Sequence, residues 1–154
     1  MTDDIPLPAL LRASRGAYSH SIRRHLAEAG FEDMPRNGPY VLGGVVNRGG
    51  SISDLVRQLG VSKQAASELV DSLVELGFMR RELDVTDRRR VRIEVTDRGR
   101  QAAAAVKTGV DAVDAELATR LSPQQLAGLR TGLVELCAIR EEMEDAIRHQ
   151  EGGG

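Results

Sequence analysis

Aromatic residues are scarce in this chain of 154 residues, which holds two tyrosines, two phenylalanines and no tryptophan. A core must therefore be assembled from Leu, Val, Ile and Ala, and that favours helices packed on helices over an aromatic-filled sandwich. Cysteine is scarcer still. With Cys137 alone, no internal disulfide can form, and a reducing compartment is the natural setting. Cys137 falls between Leu136 and Ile139 on the apolar side of the last predicted helix, where a buried structural thiol is expected over a redox sensor. No stretch reaches the roughly 18 apolar residues that a membrane span requires. The opening MTDDIPLPALL is acidic and lacks the basic flank and apolar run of a secretory signal, so a cytoplasmic protein without a membrane partner is expected.

Chemistry-bearing clusters are missing as well. His20, His25 and His149 do not pair at metal-ligand spacing, so neither a metal nor a cofactor is expected. Gly43-Gly44 and Gly49-Gly50 lack the strand-turn-helix setting of a phosphate loop and read as turns. No nucleophile–base pair stands out, which argues against an enzyme.

What is present is a helical rhythm along one domain-sized chain. Leu7, Leu10, Leu11, Tyr18, Ile22 and Leu26 recur at three- and four-residue steps, predicting a helix over 8–29 that Gly30 ends. A connector with two prolines follows, then a short helix from about Tyr40 to Asn47. Ser51 or Ser53 can cap a helix running to Leu59. Gly60-Val61-Ser62 breaks that helix and caps the next, predicted over 63–76 and stopped by Gly77. Two short helices joined by a tight glycine turn are the mark of a helix-turn-helix. On the second, Ala66, Leu69, Val70, Leu73 and Leu76 share one face, and Lys63, Gln64, Ser67, Glu68 and Asp71 share the other. A polar, hydrogen-bonding face near a helix N-terminus is what groove reading needs.

Residues 78–95 then read as a hairpin. Val91, Ile93 and Val95 alternate with Arg92 and Glu94, and a charged tip runs from Asp84 to Arg90. Thr96 caps a helix bearing Val106, Val110, Val113, Leu117 and Leu121, and Ser122-Pro123 opens a last one bearing Leu126, Leu129, Leu133, Leu136, Met143 and Ile147, interrupted at Arg140. The fold class is mainly α with a small β-hairpin: a winged helix-turn-helix lobe over 38–99, with the wing at 78–95, flanked by the 8–29 helix and by helices over 97–149. The formal charge of −2 is low for a nucleic-acid binder, but it is unevenly spread. Residues 101–154 hold five Lys/Arg against nine Asp/Glu, which leaves the first hundred residues at +2, with Arg88, Arg89, Arg90 and Arg92 clustered at the hairpin tip.

The run Leu59-Gly-Val-Ser-Lys-Gln-Ala-Ala-Ser-Glu-Leu-Val-Asp-Ser-Leu73, with Leu76-Gly77-Phe78, Asp84-x-x-Asp87-Arg88-Arg89 and Val95-Thr96-x-x-Gly99-Arg100, resembles the MarR family of bacterial transcription factors. The resemblance implies a homodimer held by the N- and C-terminal helices and bound to double-stranded DNA. Ser62, Lys63, Gln64, Ser67 and Glu68 would face the major groove or its phosphates. Arg88, Arg89 and Arg90 would serve the wing, one in the minor groove and another braced by Asp84 or Asp87. It also implies a small-molecule pocket for an aromatic effector near Tyr18, His25, Met34 and Tyr40, for which a plain hydrophobic patch is the alternative. This chain departs from the family pattern at Val85, where many members have proline, and at Glu68, often arginine. A winged helix that contacts only proteins is the second functional class.

Overall fold

The computed structural model describes residues 4–49, 51–87 and 91–151. These residues form α1 (Leu7–Glu28), α2 (Gly38–Arg48), α3 (Ile52–Leu59), α4 (Lys63–Glu75), β1 (Met79–Leu83), β2 (Val91–Val95), α5 (Asp97–Arg120) and α6 (Pro123–Glu151). The fold is mainly helical with one small antiparallel sheet, as the sequence predicts. Met79 pairs with Val95 and Leu83 with Val91, so β1 and β2 make a hairpin joined by residues 84–90. The chain divides into a compact unit over Met1–Val113 and a second over Asp114–Gly154.

Helix starts are fixed by hydroxyl caps. The oxygens of Ser51, Ser62 and Thr96 accept the backbone N–H groups of Asp54, Ala65 and Gly99, each at 3.1 Å, satisfying donors that the first turn of a helix leaves open. Ser51, not Ser53, opens α3. At α6 the exchange is reciprocal: the Gln125 N–H donates to Ser122 Oγ and the Ser122 N–H to Gln125 Oε1.

Two helix ends share one design. Beyond α1, Gly30 takes a φ of 82°, its N–H donates to the Ala27 carbonyl, and the Phe31 N–H donates to that of Leu26. Beyond α4, Gly77 takes a φ of 78°, its N–H donates to Val74 and that of Phe78 to Leu73. Both are Schellman ends, in which a left-handed residue, cheapest as glycine, returns the chain onto its own last turn. Each delivers a phenylalanine into the core. The two rings meet edge to face with centroids 6.0 Å apart. Leu26, Val41, Leu42, Leu73, Met79, Ala102, Ala103 and Val106 complete the buried cluster within the first unit.

The buried face of α5 differs from the one its large residues suggest. Gly99, Ala102, Ala103, Val106 and Gly109 are buried, whereas Val110 and Val113 are half-buried. Small residues let neighbouring backbone come close: the Ser21 hydroxyl of α1 donates to the Gly109 carbonyl at 2.8 Å. At Gly99, a Cβ would stand 2.1 Å from the Phe78 carbonyl oxygen. Glycine is therefore required there by space.

Arg98 lies above the phenylalanine pair, its guanidinium carbon 4.6 Å from the Phe78 ring centroid and 5.2 Å from that of Phe31. Its Nε donates to the Leu76 carbonyl at 3.1 Å, and its Nη2 reaches both carboxylate oxygens of Asp33, at 2.8 and 3.0 Å. One side chain thus joins the end of α4, the α1–α2 connector and the start of α5.

In the second unit, Leu129, Leu133, Leu136, Met143 and Ile147 of α6 are exposed. Cys137 is exposed too, which corrects the expectation of a buried thiol. Its neighbours Leu136 and Ile139 on α6 are exposed as well.

Replacing Arg98 by Ala should lower unfolding stability by about 2 kcal/mol, the combined scale of one hydrogen bond, two cation–π contacts and a half-exposed ion pair. Lysine should rescue less than half of the loss, because an ammonium cannot fork onto Asp33 and stack at once. Urea denaturation of the three proteins is the check, and equal midpoints would contradict this role for Arg98.

Candidate nucleic-acid interface

The α3–turn–α4 segment presents a polar surface because its apolar residues are consumed by the core. Val70 and Leu73 are buried and Ala66, Leu69 and Leu76 half-buried, while Ser62, Lys63, Gln64, Ser67, Glu68 and Asp71 are exposed. The sequence-predicted reading residues therefore lie together on one side of α4, at and just after its N-terminus. Ser62 has a second task as the helix cap; its oxygen receives Ala65 N–H and its own hydroxyl proton stays available to donate. The open N–H groups of the first turn and the helix dipole favour an anion at this end. Farther along, the Gln64 amide donates to Glu68 Oε1 at 3.0 Å.

The hairpin is attached to α4 by more than chain continuity. Arg81 of β1 donates to the Asp71 carboxylate on α4. Across the strands, Arg80 faces Glu94 and pairs with it at 3.3 Å, while also touching Glu82 at 2.6 Å. The Arg81–Asp71 pair ties the hairpin to α4, while the Arg80 pairs brace the hairpin internally. None was legible in the sequence. Arg81 and Asp71 sit in different elements, and Arg98 occupies an unspecified position of the Thr96-x-x-Gly99 pattern with its acidic partner far upstream.

At the hairpin tip, Asp84 accepts both the backbone N–H of Thr86, at 2.8 Å, and its hydroxyl, at 2.7 Å. The carboxylate thus closes the turn itself, in the manner of an Asx turn. Asp87 is exposed. Arg88, Arg89 and Arg90, expected to contact DNA and to take a brace from Asp84 or Asp87, lie outside the described residues. Val85 is 93% exposed, so the tip carries an apolar residue in solvent where a proline was the expected pattern.

Of the four residues expected around a ligand, His25 and Tyr40 are held by hydrogen bonds. His25 Nδ1 lies 2.8 Å from the Ser21 carbonyl oxygen, which can only accept, so Nδ1 carries the proton. Tyr40 is exposed and donates to Gln58 Oε1 at 2.8 Å. Met34 packs against the core beside Gly38, and Tyr18 is half-buried. An open hollow of about 410 Å³ lies elsewhere, between α2 and β2, lined by Val45, Val46, Ile93, Glu94, Val95 and Arg100. Among the described residues, no group of three or more His, Cys, Asp or Glu is placed to hold a metal ion, and no helix is long and apolar enough to cross a membrane.

A capped helix-turn-helix followed directly by a two-stranded hairpin and packed on a long helix is a winged helix, the class used by many transcription regulators. Residues 33–90 match the model of the MarR family. Solved structures with the same fold cover nearly all of the chain. The S. aureus MepR–DNA complex has a TM-score of 0.70 at 19% identity, covering 88% of this chain and 98% of that one. CouR from Rhodococcus jostii bound to p-coumaroyl-CoA has 0.66 at 23%, covering 88% and 93%. A Mycobacterium tuberculosis MarR family protein in complex with salicylic acid has 0.57 at 26%, covering 88% and 99%. No curated protein matches the sequence closely enough to count as a relative.

The Thr86 hydrogen bonds, hydroxyl first and N–H second, hold the Asp84 carboxyl below the usual carboxylate range, with Arg92 adding a smaller pull. A carboxyl lowered by folding stabilises the turn above its unfolded value and loses that contribution as pH falls through the lowered one. The Thr86 amide resonance should therefore keep its neutral-pH position through the usual aspartate range and move only in stronger acid. An NMR titration checks this; a midpoint at or above the ordinary aspartate value would contradict the turn.

Proposed function

We propose that the chain is a DNA-binding transcriptional regulator that acts in the cytoplasm as a homodimer and represses transcription from a pseudo-palindromic promoter site. The observation that carries this reading is α4: a helix capped at its N-terminus, locked into the core on one side and exposing Lys63, Gln64, Ser67 and Glu68 on the other. Such a helix fits the major groove, whose width admits it and whose base edges carry a distinct donor and acceptor pattern. Ser62 and Lys63 suit phosphates at the groove edge. Arg88, Arg89 and Arg90 suit the phosphates and the adjacent minor groove, where negative potential concentrates. Asp84 or Asp87 would brace one of them.

A second copy is supported by what the single chain leaves uncovered. The apolar residues of α6 and the exposed Leu7 and Leu10 of α1 each offer a surface for a symmetric partner. Two copies would place two α4 helices about one helical turn of DNA apart. Relatives of this fold bound to p-coumaroyl-CoA and to salicylic acid support a small aromatic effector, with Tyr18, His25, Met34 and Tyr40 as its candidate contacts. An effector acts only through unequal affinity for two dimer shapes.

Retention of sheared genomic DNA by the purified protein, followed by sequencing, tests the reading. A pseudo-palindrome should be enriched, and retention should fall steeply as salt is raised. The Arg88→Ala/Arg89→Ala protein should lose about tenfold or more in affinity, as removal of groove and phosphate contacts implies. Motif-free retention that the double substitution leaves unchanged would redirect the search to protein partners.

A further inference from the structure

The exposed side of α4 carries an unusual balance of charge for a DNA-facing surface. Lys63 is its one cation, against Glu68, Asp71 and Glu75, and Asp71 is engaged by Arg81. Glu68 is engaged as well, but by a neutral group one helical turn away: the Gln64 amide nitrogen stands 3.0 Å from its Oε1. A carboxylate can only accept, so this contact fixes which way the Gln64 amide points. Its NH₂ group faces Glu68 and its carbonyl oxygen faces away.

That constraint has a chemical consequence. With one N–H committed to Glu68, Gln64 has one N–H and one carbonyl oxygen left to offer, a donor beside an acceptor. Adenine presents the complement in the major groove, an N6 amino donor beside the N7 acceptor. Guanine presents two acceptors, O6 and N7, and would set its O6 against the Gln64 oxygen. An amide free to turn over could give both hydrogens to guanine; an amide tethered to Glu68 cannot without breaking the tether.

Resting on the DNA-reading function above, we propose that Gln64 and Glu68 work as one unit in which Glu68 is a positioning residue that locks the Gln64 amide for adenine and against guanine.

Binding-site selection from a random duplex library, run with the parent, Glu68→Ala and Gln64→Ala proteins, tests this. Both residues are exposed, and circular dichroism should show unchanged helicity. The parent should fix adenine at one position of each half-site, with exchange to guanine costing about tenfold or more in affinity. Gln64→Ala should show no base preference there. In Glu68→Ala the adenine-to-guanine penalty should shrink to threefold or less, with preferences at the other positions intact. A purely structural role for Glu68 would weaken binding to all sequences alike. If Glu68→Ala discriminates adenine from guanine as the parent does, or if the parent's motif has no adenine that depends on Gln64, the proposal is overturned and the DNA-reading function stands. If the parent selects no sequence at all, both fail.

Discussion

The arrangement of the first unit depends on one contact, the Arg98 guanidinium laid over the edge-to-face pair of Phe31 and Phe78. The two phenylalanines of the chain are each delivered by a Schellman end, one from α1 and one from α4. Arg98, at the start of α5, covers them, holds the last turn of α4 through the Leu76 carbonyl and anchors the connector through Asp33. Three helices are thus registered at a single point, immediately before the hairpin begins. A chain so poor in aromatics has few other means of fixing helix orientation, because aliphatic packing alone is tolerant of rotation and sliding. Arginine suits the position because its planar fork can stack and donate in several directions together.

The close approach at Gly99 belongs to the same junction. Thr96 caps α5, its hydroxyl also donates to the Gly77 carbonyl, and its N–H donates to that of Phe78. The Thr96-x-x-Gly99 pattern is therefore a device for seating α5 against the end of α4. Through this seat and the Arg81–Asp71 pair, α4 and the hairpin are held as one piece.

Much of this was legible in the sequence, for local reasons. Ser62 and Thr96 cap the helices they were expected to cap, and Gly30 and Gly77 stop theirs, because caps and stops depend on residues a few positions apart. The exposed side of α4 followed from a 3.6-residue period. What stayed hidden depends on distance or on size. Asp33 and Arg98 are 65 residues apart, and nothing in either neighbourhood announces the pairing. The buried face of α5 is built from glycine and alanine, which a search for large apolar residues passes over. Cys137 was expected to be buried from its apolar neighbours in sequence, but it is exposed together with Leu136 and Ile139.

Under the proposed function, electrostatics separates the tasks of α4 and the hairpin tip. On α4 carboxylates outnumber the one lysine, so that helix is suited to reading base amino groups rather than to neutralising phosphates. In the proposed complex, attraction to DNA would fall to the helix N-terminus and to Arg88, Arg89 and Arg90. The most direct measurement is footprinting of a selected duplex by base methylation and hydroxyl radicals. Two symmetric major-groove patches about one helical turn apart, each flanked by minor-groove protection, are the expected result. A single patch, or uniform protection without a groove pattern, would contradict a paired, groove-reading α4.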